Sequence, residues 1–347
     1  MKNIVAVSLL ALASWAPATL ADESIGIFET VRESSVSFSE TTDAIESALA
    51  GSETDLVLHA SHVVRVPDDM HQAKVYVLTS PAYAEAAAGQ SPRTVSAQVL
   101  RIAVFTSGDE QKTLINMANP VAHAMVFYSD SSNYKTAKYK DLLAASKAAA
   151  AQIRKLVANV PGEAVKFPAG PTRTEKKYRK FNGDGPAKMM AKWRNWQESQ
   201  LLIEEGAAAE FDEIVEKVAA AFAAGAVSDA SESTGWDVIT QLRLGDDAVY
   251  FGLSNPYIED KMIRINSRFR SEGKSELSPY PGVDHVSALP TEVLVVKEGG
   301  KTLVLHYGQM WRMQLYFWDS GYRAFTANVG VPGTIVDSIE DALEAAR

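Results

Sequence analysis

The sequence predicts an α+β fold of two similar α/β-sandwich units, which we interpret as an internal duplication with mainly antiparallel sheets and helices packed on one face. The first observation is the stretch 293–319, where two strands rich in β-branched residues are joined by a Gly299-Gly300 turn and followed by an aromatic-rich segment. The second observation is that the stretch 99–130 repeats it. The chain is therefore predicted to use one αβ arrangement twice.

The repeat extends over most of each unit. Both copies carry a Val-Tyr strand that ends in a Ser-Pro or Asn-Pro turn, at Pro81 and Pro256. The aligned residues in the two hairpins are Val99-Leu100 with Val293-Leu294, Lys112-Thr113-Leu114 with Lys301-Thr302-Leu303, and Phe127-Tyr128 with Tyr316-Phe317.

The first unit, 22–160, is predicted to begin with a strand and a helix. Val36 and Phe38 alternate with serines in a strand over 27–38, and Ser39 is the predicted N-cap of a helix that ends at Gly51. The other predicted elements are strands over 55–66 and 73–79, a short helix over 83–88, a hairpin over 99–117 and a long helix over 134–160.

The region 161–203 is predicted to be an irregular basic connection followed by a helix over 187–203, because prolines and glycines are frequent up to Pro186. The second unit, 204–347, begins with a strongly amphipathic helix over 207–224. Its other predicted elements are strands over 236–244, 247–253 and 322–329, the hairpin with its aromatic segment in extended form, and a helix over 335–345.

Residues 1–21 have the pattern of a cleavable secretory signal peptide. Lys2 precedes an apolar run over 4–16, and Thr19-Leu20-Ala21 forms a small-residue cleavage site. We therefore expect cleavage after Ala21 and a periplasmic or secreted protein. The protein is not expected to be transmembrane, because no stretch reaches the roughly 18 apolar residues that a membrane-spanning helix needs.

Composition excludes several classes of function. The chain has no cysteine, which excludes a disulfide framework, a thiolate nucleophile and thioether attachment of haem. The formal net charge of −9 argues against a nucleic-acid partner. Hydrophobic residues make up 46% of the chain, which is enough for an ordinary core at this length.

The stretches VYVLTSP (75–81), VSAQVLRIAV (95–104) and LINMANP (114–120) resemble the family called domain of unknown function 302. Residues 249–256 and 286–305 resemble it more loosely, so that the resemblance covers two copies and about two thirds of the chain that follows the signal peptide. The resemblance implies a compact α+β domain related in shape to small effector-binding and haem-binding domains. It implies no catalytic residues.

The sequence predicts no metal site and identifies no cofactor. His59 and His62 lie in one predicted strand, where a spacing of three places their side chains on opposite faces. Met310 and Met313 offer thioether ligands that suit Cu(I), but they would also face apart in a strand, and methionine is more often core filler. No nucleophile or phosphate-loop motif is present, so the expectation leans away from an enzyme.

The aromatic segment 309–318 suggests a binding face. In an extended chain Arg312, Tyr316 and Trp318 share one face, and such a set can stack on and hydrogen-bond a planar or anionic molecule. The alternative is that these side chains pack against the rest of the protein. The candidate ligand-binding residues are Arg312, Tyr316, Trp318, His306, Tyr250 and His123.

A second candidate is the basic cluster at 173–180. It could hold an anionic lipid head group, a cell-wall polymer or an acidic partner, or it could be a solvated connection.

Three hypotheses for function follow from the sequence. The leading one is a module that binds a small molecule or a protein partner in the cleft between the units or on the Arg312 face; the others are an enzyme whose site assembles only in the fold, and a structural or interaction protein without a pocket.

Overall fold

The computed structural model describes residues 23–51, 54–66, 71–107, 112–129, 134–185, 187–190, 193, 195–224, 235–263 and 283–345. The predicted signal peptide lies outside these ranges. No helix in the described part of the chain is long and apolar enough to cross a membrane.

Two antiparallel sheets confirm the predicted α+β class. The first sheet has the order β2-β3-β4-β5-β1-β6 and the second has the order β7-β11-β10-β9-β8. The strands of the first sheet are β1 (Ile25–Ser34), β2 (Val57–Val63), β3 (Ala73–Thr79), β4 (Leu100–Ser107), β5 (Lys112–Ala118) and β6 (Gly162–Arg173). The strands of the second sheet are β7 (Gln200–Ala207), β8 (Asp237–Arg243), β9 (Ala248–Ser254), β10 (Thr291–Glu298) and β11 (Lys301–Tyr307).

Helices connect the strands of both sheets. Those that precede β7 are α1 (Phe38–Ala50), α2 (Pro81–Ala87), α3 (Pro120–Phe127), α4 (Ala137–Val157), α5 (Glu175–Arg179), α6 (Ala187–Met190) and α7 (Trp196–Ser199). Those that follow β7 are α8 (Phe211–Ala224), α9 (Pro256–Ile263), α10 (Gln309–Phe317), α11 (Gly321–Ala327) and α12 (Val331–Glu344). Two longer 3₁₀ segments, Pro92–Gln98 and Val283–Ala288, lie before β4 and β10.

Several sequence predictions were wrong. The region 161–186 is not irregular, because β6 pairs along β1 as the outermost strand of the first sheet. The predicted helix over 187–203 is two short helices, α6 and α7, followed by the start of β7. The N-cap of α1 is Ser37, not Ser39, and its hydroxyl accepts from the Glu40 amide while the Glu40 carboxylate accepts from the Ser37 amide.

The aromatic segment is helix α10, not a strand, and the predicted strand over 322–329 is helix α11. Nearly all residues of α10 are buried, and Gln309, Arg312 and Gln314 are among them, so the helix has no exposed polar stripe that would reveal its period in the sequence. Arg312 and Tyr316 still share a face, because residues four apart are neighbours on a helix.

The two sheets share one topology. Omitting β6, the strand order of the first sheet matches that of the second, and each sheet is built in the same order of strands and helices. β2 and β8 are interrupted by an irregularity at the same place, after Leu58 and after Val238. Positions that occupy the same place in the two sets of ladders are called corresponding positions below.

The ladders correct the sequence alignment of the hairpins. Ile102 pairs with Met117, and Val293 pairs with His306. Because Met117 and His306 correspond, Ile102 corresponds to Val293, whereas the sequence alignment placed Val99 there. The shift of three residues brings Arg101 into correspondence with Glu292.

The units pack on each other in a reciprocal way. The 3₁₀ segment Pro92–Gln98 of the first unit packs on β9 and β10, and the segment Val283–Ala288 of the second unit packs on β3, β4 and β5. Strands β2 and β8 also contact each other. The interface between the units is therefore approximately two-fold, with two corresponding ends.

Candidate functional site

One end of the interface is an open cavity of about 670 Å³. Its walls come from α2, the residues after it and the start of the 3₁₀ segment in the first unit, and from the β8–β9 hairpin in the second. The uncharged polar side chains of the lining, which can form hydrogen bonds, are His59, Thr79, Gln90, Ser91, Gln98 and Gln241. The cavity has the size of ordinary small-molecule sites and several polar groups that face one space.

His59 is the histidine in this cavity. Its Nε2 lies 2.8 Å from Thr79 Oγ1, and burial lowers the pKa of His59 below its usual value. A neutral imidazole is therefore favoured at pH 7, and it can donate or accept one hydrogen bond. The charged lining residues Arg243, Asp246 and Asp247 are exposed and lie at the rim.

The other end of the interface holds a hydrogen-bonded cluster. Glu259 of α9 is only 2% exposed, and its Oε1 lies 2.6 Å from His62 Nε2 and 2.5 Å from Ser254 Oγ. Its Oε2 accepts from the Arg65 amide at 2.9 Å. A buried carboxylate with three partners satisfies its hydrogen-bonding capacity without water.

These two ends correspond residue by residue. Three of the residues that line the open cavity are Leu242, Ala84 and Thr79. In the cluster at the other end, the corresponding residues are His62, Glu259 and Ser254. Leu242 and Ala84 leave a space at one end, whereas His62 and Glu259 fill the corresponding space at the other end. The cavity is therefore a consequence of side-chain choice on a shared backbone arrangement.

The His62–Glu259–Ser254 cluster is not arranged as a catalytic triad. In a triad the serine hydroxyl donates to one imidazole nitrogen, and the carboxylate accepts from the other. The Ser254 hydroxyl donates to Glu259, and both groups lie against the same Nε2 of His62. The serine proton is thus directed away from the base, so this cluster supports a structural role.

Four of the six predicted ligand-binding residues meet in the centre of the interface. His123 Nε2 lies 2.9 Å from Tyr316 Oη and 2.9 Å from Arg101 Nη2. Arg312 Nη2 donates to the carbonyl oxygens of Ala288 and Pro290. Tyr250 belongs to the same region: burial raises its pKa well above the usual value, with the Glu292 carboxylate as the next cause.

This cluster is buried. Arg101, Arg312 and Glu292 are each at most 3% exposed, and Arg312 Nε lies 3.6 Å from Glu292 Oε1. Burial and the neighbouring Arg101 lower the pKa of His123 to about 3. Its Nδ1 lies 2.9 Å from the Asn119 carbonyl oxygen, which assigns the proton to Nδ1 and leaves Nε2 as an acceptor. The cluster therefore holds the two units together instead of facing solvent.

The remaining two predicted residues lie elsewhere. His306 is buried in β11 with its Nδ1 3.1 Å from the Tyr307 carbonyl oxygen, and burial lowers its pKa to about 4. Trp318 packs edge-to-face against Phe325 with ring centroids 5.7 Å apart. Neither contributes to the open cavity or to the central cluster.

The predicted basic surface at 173–180 is partly inside the protein. Arg173 is buried, is paired with Asp184 and donates to the carbonyl oxygens of Gln314 and Leu315 in α10. Arg179 stacks on Tyr134, with its guanidinium carbon 3.7 Å from the ring centroid. Lys176, Lys177 and Lys180 remain exposed, which is too few for the extended basic patch that the sequence suggested.

Sequence reasoning missed the residues that shape the two ends. Ala84, Leu242 and Glu259 carry no motif, and Arg101 was not singled out. The repeat was the signal that could have found them, because differences between corresponding positions identify where the two units diverge. That signal needed the hairpin register that the ladders supplied.

Within the described ranges, no three His, Asp or Glu side chains are grouped so that they could hold a metal ion. No protein-family model, curated protein or solved structure matches the chain.

Proposed function

We propose that this protein binds a small, uncharged polar molecule in the open cavity between its two units. The observation that carries the proposal is the contrast between the ends of the interface: Leu242 and Ala84 leave a cavity of about 670 Å³ where His62 and Glu259 fill the corresponding place. An open cavity of this size, with several polar side chains around one space, has the character of a small-molecule site.

The lining indicates the class of ligand. The side-chain amides of Gln90 and Gln241 and the second ring nitrogen of His59 can exchange hydrogen bonds with sugars, polyols or amides. The Ser91 and Thr79 hydroxyls already have partners, Glu298 and His59. A strongly charged ligand would lack a buried partner of opposite charge, because Arg243, Asp246 and Asp247 are exposed. The Arg243 guanidinium is also paired with Asp212. We further propose that the two units arose by duplication and that the protein is exported, as its first 21 residues predict.

The first experiment is native mass spectrometry of protein purified without denaturant, followed by the same sample under denaturing conditions. A mass excess that disappears on denaturation is the expected result. Differential scanning fluorimetry with a panel of uncharged sugars, polyols and amides tests the same site when the ligand has been lost in purification, because a bound ligand raises the melting temperature.

The double variant Ala84→Glu with Leu242→His provides the specific control. It places in the open cavity the same residue types as His62 and Glu259, which close the other end of the interface. Thr79 already offers a hydroxyl in the cavity. We expect this variant to fold and to lose the ligand, whereas Glu85→Gln, which changes an exposed neighbour in α2, should retain it. The proposal is overturned if the wild-type protein shows neither a mass excess nor a shift with any panel member, or if the double variant binds as well as the wild type.

A further inference from the structure

A second cavity, of about 690 Å³, shares no lining residue with the cavity between the units. Its walls come from α10, α11 and α12 and from the chain at the start of β7. Apolar side chains dominate the lining, and these are Trp193, Leu201, Met310, Phe325, Val329 and Val336. This cavity differs in character from the polar cavity between the units.

The first unit shows how such a space is otherwise filled. Leu201 of β7 corresponds to Glu29 of β1, by the ladders that join these strands to β11 and β5. Glu29 accepts from Arg154 of α4 at 2.5 Å, so a long helix and an ion pair occupy this place in the first unit. α4 has 21 residues and α12 has 14. The shorter helix and the apolar Leu201 leave the second unit open here.

The polar groups in the lining are engaged within the protein. Gln309 Nε2 donates to the Tyr307 carbonyl oxygen at 2.7 Å, and Gln314 Oε1 accepts from the Asp184 amide at 3.2 Å. The Ser199 hydroxyl donates to the Trp196 carbonyl oxygen at 2.6 Å. A ligand in this cavity is therefore recognised mainly by apolar contact and not by hydrogen bonds.

The charges of the lining restrict the head group of a ligand. Asp337 is an exposed carboxylate of the lining, so it lies where a polar head group would meet solvent. A second negative charge brought close to this carboxylate is repelled, even in water. An anionic head group such as a fatty-acid carboxylate is disfavoured there.

From these contacts we propose that the cavity holds the alkyl chain of a single-chain amphiphile whose head group is uncharged or cationic. The site is separate from the cavity between the units and does not depend on the function proposed for it. Each chain methylene that leaves water adds to the free energy of binding, so an alkyl chain can bind here without specific polar contacts.

The experiment measures displacement of N-phenylnaphthylamine from the purified protein by three amphiphiles with the same twelve-carbon chain. Monolaurin is uncharged, dodecyltrimethylammonium is cationic and laurate is anionic, and all are used below their micelle concentrations. We expect monolaurin and dodecyltrimethylammonium to displace the dye, and laurate to require a severalfold higher concentration.

Variants locate the binding. Met310→Asp and Val336→Asp place a carboxylate in the apolar wall at half-buried positions and should weaken monolaurin binding at least tenfold, whereas Met310→Leu should not. Gln241→Ala changes a residue of the cavity between the units and should leave monolaurin binding unchanged. Thermal unfolding of each variant shows that it is folded. The proposal is overturned if none of the three amphiphiles displaces the dye, if laurate binds as well as the others, or if folded Met310→Asp and Val336→Asp bind monolaurin like the wild type.

Discussion

The two ends of the interface between the units share their backbone arrangement and differ in their side chains. At one end His62, Ser254 and Glu259 form a buried hydrogen-bonded cluster. At the other end Leu242 and Ala84, with Thr79, line an open cavity. The difference shows that an approximately two-fold interface can be closed by polar contacts at one end and leave a cavity at the other.

The centre of the interface shows the same divergence. Arg101 and Glu292 occupy corresponding positions, and so do His123 and Arg312. A symmetric pair of identical charges at these places would repel across the interface, whereas the residues present are complementary. The central contact therefore requires two different units.

The largest effect is expected when the central charges are unbalanced. Glu292→Gln leaves two buried guanidinium groups without their carboxylate, which should lower the free energy of unfolding by about 3–5 kcal/mol. The measurement is urea unfolding followed by circular dichroism. Glu298→Gln is the matched control, because Glu298 lies on the same strand but is about one-third exposed, at 37%, and should cost at most about 1 kcal/mol. Equal effects of the two variants would contradict a role for Glu292 in holding the units together.

The closed end should be the next most sensitive place. Glu259→Ala removes the acceptor for His62, Ser254 and the Arg65 amide, and it should lower the free energy of unfolding by about 2–3 kcal/mol. The corresponding change at the open end, Ala84→Gly, removes no hydrogen bond and should cost about 1 kcal/mol through helix propensity alone. If urea unfolding gave the two variants the same stability, the two ends would not differ as described.

Acid should reveal a difference between corresponding residues of β5 and β11. Burial lowers the pKa of His306 to about 4, whereas an unfolded histidine titrates near 6.5. Between these values the unfolded chain binds a proton that the folded protein does not. The contribution of neutral His306 to the free energy of unfolding is therefore fully present above about pH 6.5 and is lost as the pH falls towards 4.

His306→Met installs the residue of the first unit, Met117, in the second. The loss of stability between pH 7 and pH 4.5 should become smaller by about 2 kcal/mol, as measured by urea unfolding at both values. His123 is buried with its pKa lowered to about 3 and continues to destabilise the variant in acid, so some loss should remain. An unchanged difference between the two pH values would show that His306 is not buried in its neutral form.

The smallest effect concerns the starts of two corresponding helices. Ser37 caps α1 through its hydroxyl, whereas Ala207 stands at the corresponding place before α8 and has no side-chain acceptor. Ala207→Ser should raise the melting temperature, since an N-cap hydroxyl is worth about 1 kcal/mol, and Ser37→Ala should lower it by a similar amount. Changes of the same sign in both variants would show that the two caps are not equivalent.

Much of the fold could be predicted from local patterns. The amphipathic helix around Phe211–Ala224 and the strands that end at Pro81 and Pro256 were identified because periodicity and turn residues are local signals. The errors have local causes too. β6 contains Pro168 and Pro171 and was predicted to be a connection, but an edge strand tolerates proline where the missing amide would face solvent.

The candidate site was less predictable. His123, Tyr250, Arg312 and Tyr316 were selected for their chemistry and do come together, but in the interior, where a central role in packing is favoured over contact with a ligand. Ala84 and Leu242 were not selected, because the feature that makes them important is the space they leave. A small or apolar side chain has no signature of its own in a sequence.

The sequence by itself determined the α+β class, the two hairpins, the amphipathic helix Phe211–Ala224 and the N-terminal pattern that predicts export, because these depend on the spacing of residues along the chain. Only the tertiary structure decided that α10 and α11 are helices, that β6 completes the first sheet, and which residues correspond between the units. It also decided which end of the interface is open, because a cavity is a property of side chains from distant segments that meet across two packed surfaces.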